Sequence, residues 1–440
     1  AIESMEVSPD GRLLLTGSAD GKACLLDFSG DKTSVRQLPH GIAILSATFS
    51  ADGKYALTGG ADAKVRVWLT SSGQPVGLPL PHASTVVRVM CGPEGDFFAT
   101  ATEDGVAQFW DLSTQRPIGK SMVHGARLTS VGFSHDGKQF LTAGADGKVR
   151  LWHSRTGESA GAEMRSEKEI TCASFSPKTD LVAAGSRDGI VNLWSGSSGS
   201  PVHQFTQKAA ITDLAFSPDG QYLASGAEDG TAAIWDISTG KSVGDLLHHS
   251  SVVSKIVFSP DSAKIATASE DGVVRLWDVS TGRTITEPLH HQKAVRCLVF
   301  SRDGRVLFSG SRDRNVRAWD IATGLAVSDR TWLASFARAI LPATLNGAGR
   351  IEQRSIETRE NVRTETNPQS ASTLALSDWF FAEPAQRPLT PYARQNLVSY
   401  LGDRVNEKSE ISLNEARFFS VGEPSLRAFL EKAPVSKSHP

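Results

Sequence analysis

"GAEDGTAAIWDISTG", residues 226–240, places a tight turn, a short strand ending in Trp235-Asp236 and a second tight turn end to end. Close variants occur eight times before residue 325, with the turn aspartate at Asp20, Asp62, Asp104, Asp146, Asp188, Asp229, Asp271 and Asp313. The interval is 42 residues, with one exception of 41. So constant a period marks a repeat architecture. Each copy is one supersecondary unit that cannot bury its apolar face alone.

The sixth copy, "ITDLAFSPDGQYLASGAEDGTAAIWDISTGKSVGDLLHH", is punctuated by "SPDG", "EDG" and "STG". In such clusters Pro presets φ, Asp bonds its own backbone and Gly supplies left-handed conformations. The segments between are too short for helices and rich in aliphatic, β-branched and aromatic residues, which predicts successive hairpins. One copy is therefore a four-stranded antiparallel meander. Gly17, Gly59, Ala101, Ala143, Gly185, Gly226, Ala268 and Gly310 hold one place in all eight copies, with at most a methyl side chain. Residues that small within a strand predict close approach of a neighbouring sheet.

A polar set recurs with the same period. Trp68, Trp110, Trp152, Trp194, Trp235, Trp277 and Trp319 are matched by Leu26 in the first copy. Ten residues before the tryptophan stands Thr58, Thr100, Thr142, Ser225, Thr267 or Ser309, with Ala184 in the fifth copy. Further upstream lie His40, His82, His124, His249 and His291, replaced by Ser166 and Gln207 in two copies. A buried indole N–H needs an acceptor, and a neutral imidazole needs one donor and one acceptor. With turn aspartates such as Asp104, Asp146, Asp229 and Asp271, these residues can close a Trp, Ser/Thr, His, Asp chain of hydrogen bonds in each unit. Ser, His and Asp together also suggest a hydrolase. That chemistry needs one activated nucleophile in one cleft, whereas this set is repeated and degenerates in two copies, so a structural network is expected.

Composition narrows the remaining classes. The 440 residues carry 46 basic and 48 acidic side chains, a net charge of -2, which offers no general attraction to nucleic acid or anionic membrane. Cys24, Cys91, Cys172 and Cys297 lack a paired spacing and read as small strand residues in a reducing, cytoplasmic setting. Apolar runs fall short of the roughly 18 residues that span a bilayer. His248-His249 and His290-His291 are the nearest approach to a metal-ligand pattern, but one ring of each pair belongs to the network, and neither metal nor cofactor is expected.

The motifs "FSPDG", "LASGAEDG", "IWDISTG" and "RLWDVSTG", with the upstream histidine, resemble those of the WD-repeat family of β-propellers over residues 1 to about 333. The resemblance implies an all-β ring of eight four-stranded blades, with seven blades plus a spare as the alternative count. Departures at Leu26, Ala184, Ser166, Gln207 and the "PKTD" turn of residues 177–180 put the networks of blades 1, 5 and 6 in question, not the fold. The first copy opens on its innermost strand, and "GLAVSDRTWLA" aligns with outer strands, so blade 1 is expected to close on blade 8 by packing.

The resemblance also implies a non-enzymatic scaffold that holds protein or peptide partners on the loop face. Positions matching its channel rim are Glu103, Arg187, Glu228, Glu270 and Arg312 before the turn aspartates, with Leu45, Val87 and Arg296 at the innermost strands. They suggest a mixed-charge partner over blades 5 to 8 with apolar contact from Leu45 and Val87. Because the sequence starts at Ala1, the alternative is the recognition portion of a larger enzyme, for example a bacterial protein kinase with its catalytic domain upstream. No phosphate-cradling glycine loop or kinase motif is present in the sequence.

The period stops near residue 333. Residues 334–440 read as a C-terminal extension: a polar stretch, "RIEQRSIETRENVRTETNPQSAS", then short helices signalled by Thr390-Pro391 and by the capping box "SLNE" of residues 412–415. These helices are expected to pack on the propeller or on a second copy of the chain, with "SDWFFAEP" of residues 377–384 as the anchor-like segment.

Overall fold

The computed structural model describes residues 1–28, 34–161 and 163–321, and the backbone of residues 343–345 and 351–353. The chain divides into two units, Ala1–Val327 and Ser328–Pro440. In the second, Ala343–Leu345 pairs antiparallel with Ile351–Gln353, so the start of the stretch read as irregular or extended forms a ladder. The expected helices and "SDWFFAEP" lie outside the described residues, as does the expected outer strand "GLAVSDRTWLA".

The first unit is an eight-bladed β-propeller. In blade 1 the strands Ile2–Val7, Leu13–Ser18, Lys22–Asp27 and Ser34–Pro39 follow one another as an antiparallel meander. Blades 2 to 7 repeat this order over residues 44–81, 86–123, 128–165, 170–206, 211–248 and 253–290. In blade 6 the outermost strand is split into Lys241–Ser242 and Leu247–His248. Blade 8 contributes three described strands, Val295–Phe300, Val306–Ser311 and Val316–Asp320.

The "SPDG" turns show how local sequence sets this meander. In blade 6 the Ser217 hydroxyl donates to Asp219 at 2.5 Å, Asp219 accepts Gln221 N–H at 3.0 Å, and Ser217 accepts Tyr222 N–H at 2.9 Å. Gly220 completes the turn with φ of +73°. Blade 5 has no aspartate at this place in "PKTD", and the Thr179 hydroxyl donates to Ser176 at 2.8 Å instead. The substitution keeps the turn closed.

The small position acts as expected. A Cβ on Gly17 would stand 2.7 Å from Ile44 of blade 2, and one on Gly226 would stand 2.7 Å from Val253 of blade 7. Gly310 meets Ile2 of blade 1 in the same way, at 2.8 Å, so the last seam repeats the geometry of the others and the ring closes by packing of blade 1 on blade 8. Arg302 Nε donates to the Ser8 carbonyl at 3.3 Å across that seam, and Phe28 and Phe308 lie 5.0 Å apart between ring centroids. Apolar clusters fill all eight seams, from Leu25, Ile44 and Trp68 between blades 1 and 2 to Val7, Leu14 and Phe308 between blades 8 and 1. The core is thus a circle of inter-blade walls. Gly226→Ala is expected to cost about 1–2 kcal/mol in urea unfolding, because Val253 and Ile256 must shift to admit the methyl group.

Candidate functional site

Burial holds the rings of His40, His82, His124 and His291 below the ordinary imidazole value and takes His249 to about 4, so all five are neutral at pH 7. Their partners then fix the tautomers. In blade 2 Trp68 Nε1–H donates to Thr58 at 2.9 Å, the Thr58 hydroxyl donates to His40 Nδ1 at 2.8 Å, and His40 Nε2–H donates to Asp62 at 3.1 Å. Blade 4 repeats the chain through Trp152, Thr142, His124 and Asp146 at 2.8, 2.8 and 3.0 Å. Blade 8 has it through Trp319, Ser309, His291 and Asp313 at 2.7, 2.7 and 3.0 Å.

Blades 3 and 7 correct the expected set. Trp110 and His82 meet at Thr100, both at 2.9 Å, but His82 Nδ1–H donates to the Leu80 carbonyl at 3.1 Å. Asp104 accepts the Thr102 hydroxyl at 2.5 Å instead, so it is not the histidine's partner. In blade 7 Trp277 and His249 meet at Thr267 at 2.8 and 2.7 Å, while Asp271 stands 3.8 Å from His249 Nδ1. Ser250 occupies that carboxylate with its N–H and hydroxyl at 3.1 and 2.7 Å, leaving His249 Nδ1 without a hydrogen bond.

Blade 6 corrects the doubt about Gln207. Trp235 donates to Ser225 at 2.8 Å and the Ser225 hydroxyl donates to the Gln207 amide oxygen. The Gln207 amide nitrogen donates to Thr231 at 3.4 Å, and Thr231 donates to Asp229 at 2.7 Å. A carboxamide thus supplies the acceptor and donor that a neutral imidazole would supply. In blade 5 the chain is cut at Ala184, and Ser186 donates to Asp188 at 2.5 Å. The relay hydroxyls Thr58, Thr142, Ser225, Thr267 and Ser309 are fully buried, engaged at both ends and closed to a substrate.

The open chemistry lies along the axis. At one level the innermost strands carry Ser4, Ser46, Arg88, Ser130, Cys172, Asp213, Lys255 and Cys297. Several tie neighbouring blades: Ser4 accepts Ala47 N–H at 3.1 Å, Ser46 accepts Val89 N–H at 3.1 Å, Ser130 accepts Ala173 N–H at 3.0 Å and Asp213 accepts Ile256 N–H at 2.7 Å. Asp213 also pairs with Lys255 at 2.9 Å. Within the channel, a cavity of about 620 Å³ is lined by this level, Cys297 excepted, and by Glu6, whose carboxyl is pushed up to about 7 by burial. The Cys172 and Cys297 thiols are pushed up to about 12 by burial and stay protonated, unlike nucleophilic cysteines.

A second cavity of about 440 Å³ opens at the channel mouth, lined by Leu45, Val87, Arg88, Arg127, Glu169 and Arg187 among others. Of the rim residues read from the sequence, it gathers Leu45, Val87 and Arg187; Glu103, Glu228, Glu270, Arg296 and Arg312 do not line it. Arg296 pairs with Glu270 at 3.2 Å, so the charges on blades 7 and 8 partly neutralise each other. Glu169 accepts from Arg127 at 2.7 Å and from Arg187 at 3.4 Å. Sequence reasoning missed Arg127 and Glu169. They hold the place before the innermost strand, where other copies have Ala43, Thr85, Ala210, Val252 and Ala294, and tabulating that row would have found them.

Repeated blades, the Trp-hydroxyl-His chains and ring closure are now joined by direct matches. Residues 1–27, 32–68, 73–111 and 116–153 match the WD domain, G-beta repeat family, and residues 160–323 match the N-terminal domain of the nucleolar protein 10-like family. The chain belongs to the WD-repeat β-propellers. The crystal structure of the computationally designed Ika8 protein is similar in fold, with a TM-score of 0.65 and 24% identity over 73% of this chain and 96% of that one. No curated protein matches the sequence. Among the described residues of this WD-repeat propeller, no group of three or more His, Cys, Asp or Glu side chains is placed to hold a metal, and no helix is long and apolar enough to cross a membrane.

Proposed function

We propose that the propeller is a protein-interaction platform, without catalysis of its own, that takes peptide segments of cytoplasmic partners at the channel mouth. The observation that carries this reading is the mouth cavity, where the apolar Leu45 and Val87 stand beside the ionic Arg127, Glu169 and Arg187 in a concave site of about 440 Å³. Such a mixture gives an apolar anchor with polar groups that fix orientation. On this reading the partner's footprint centres on blades 2 to 5, whereas the sequence alone suggested blades 5 to 8 with apolar contact from Leu45 and Val87. A recognition portion of a larger enzyme would use the face in the same way.

The test is panning of a random peptide library against the full chain. Selected binders are expected to weaken by about tenfold or more on Val87→Glu. They should keep their affinity on Val123→Glu, which alters the outer edge of blade 3, where Val123 is 62% exposed. Binders sensitive to Val123 and indifferent to Val87, or no binders at all, would remove the mouth as the docking site.

A further inference from the structure

We infer that the mouth selects an acidic side chain on the bound peptide and that Arg88 is the residue that reads its carboxylate. The inference rests on the proposed docking site and adds the chemistry of its occupant.

Arg88 is exposed and lines both the mouth cavity and the channel cavity, so it borders both spaces. Its counterparts on the other innermost strands are serines and cysteines apart from Asp213 and Lys255, and those two neutralise each other at 2.9 Å. Among the described residues the Arg88 side chain has no ion-pair or hydrogen-bond partner, which makes it the uncompensated charge of that level.

The mouth adds to this bias. Arg127 and Arg187 share one carboxylate, Glu169, and their side chains are 56% and 64% exposed, so each keeps N–H donors facing solvent. Glu3 is the other acid lining the cavity. Three guanidinium groups against two carboxylates leave one net positive charge in the concavity, centred where Arg88 is unpaired. Leu45 and Val87 on the same wall suit the methylenes of a glutamate, and a guanidinium can bind its carboxylate in bidentate fashion. The occupant is therefore an extended segment with Glu, or Asp, reaching inward at the axis.

Two nine-residue display libraries that differ only in a fixed central residue, Glu in one and Gln in the other, test this against the full chain. The Glu library is expected to yield about tenfold more mouth-dependent binders, and its synthetic peptides to lose about tenfold in affinity on Arg88→Gln. Arg88→Lys should restore part of that preference, and the matched Gln peptides should bind every variant alike. Equal enrichment, or a Glu preference that survives Arg88→Gln, overturns the carboxylate assignment and leaves the docking site standing. Disappearance of all Val87-dependent binders from both libraries overturns the docking site as well. A phosphoserine peptide that binds more than tenfold tighter than its Glu counterpart overturns the choice of a carboxylate over a phosphate.

Discussion

Thr58→Val is expected to lower the unfolding free energy by about 2–6 kcal/mol, although it exchanges one hydroxyl for a methyl group of similar size. The size of the effect follows from direction in the hydrogen-bond chain. Thr58 accepts from Trp68 Nε1–H and donates to His40 Nδ1, and the three residues are 0%, 3% and 2% exposed. Removing the hydroxyl leaves an indole donor and an imidazole acceptor without partners or water, and each orphaned group costs about 1–3 kcal/mol. His40 cannot adapt by exchanging tautomers, because its other nitrogen must keep its proton for Asp62. Urea unfolding at pH 7 checks this, with Thr58→Ser as the control, expected within about 1.5 kcal/mol of the parent because the relay oxygen survives. A valine variant as stable as the serine variant would show that the chain contributes nothing.

Glu6→Gln is expected to be more stable than the parent at pH 8 by about 3 kcal/mol and nearly equal to it at pH 4, given about 1.36 kcal/mol for each unit of pKa difference between folded and unfolded states. Burial raises the Glu6 carboxyl from 4.5 to about 7, while its bonds with Thr48 and with Phe49 N–H and the charge of Arg302 act the other way. A carboxyl raised on folding binds its proton more tightly in the native state. Its contribution is complete below about pH 4.5 and is lost as pH rises toward 7. The glutamine keeps an amide oxygen for Phe49 N–H, which Glu6 Oε2 accepts at 3.2 Å, and has nothing to ionise. The readout is the difference between the two unfolding curves across pH 4 to 8, since both proteins share the buried histidines and turn aspartates that titrate at the acid end. A constant difference would place Glu6 in free exchange with solvent.

What the sequence made legible is what repetition enforces. Eight aspartates in register required eight turns, and one small residue per copy required close seams, because a single larger side chain there would strike the neighbouring blade. The wiring of each hydrogen-bond chain was less legible. Ring orientation depends on which acceptor lies nearest, and Leu80 in blade 3 and Ser250 in blade 7 decided it locally. Gln207 looked like a defect because residue identity was compared where donor and acceptor function mattered. At the mouth, the turn row included Arg187 but passed over Arg127 and Glu169, which join it from the start of the innermost strands. Proximity in the ring is set by the closing of the circle, which no single repeat encodes.

That the final seam is built like the other seven has an arithmetical consequence. Each blade is a wedge occupying one eighth of the circle, and its width is fixed by backbone spacing and by the one small residue that lets it nest against the next. Loss of a whole repeat would open a gap wider than any side chain can span, and gain of one would force every wedge to narrow together. The circumference is therefore counted in integers, so variation can accumulate freely in the rims while the number of blades can change only in a single concerted step.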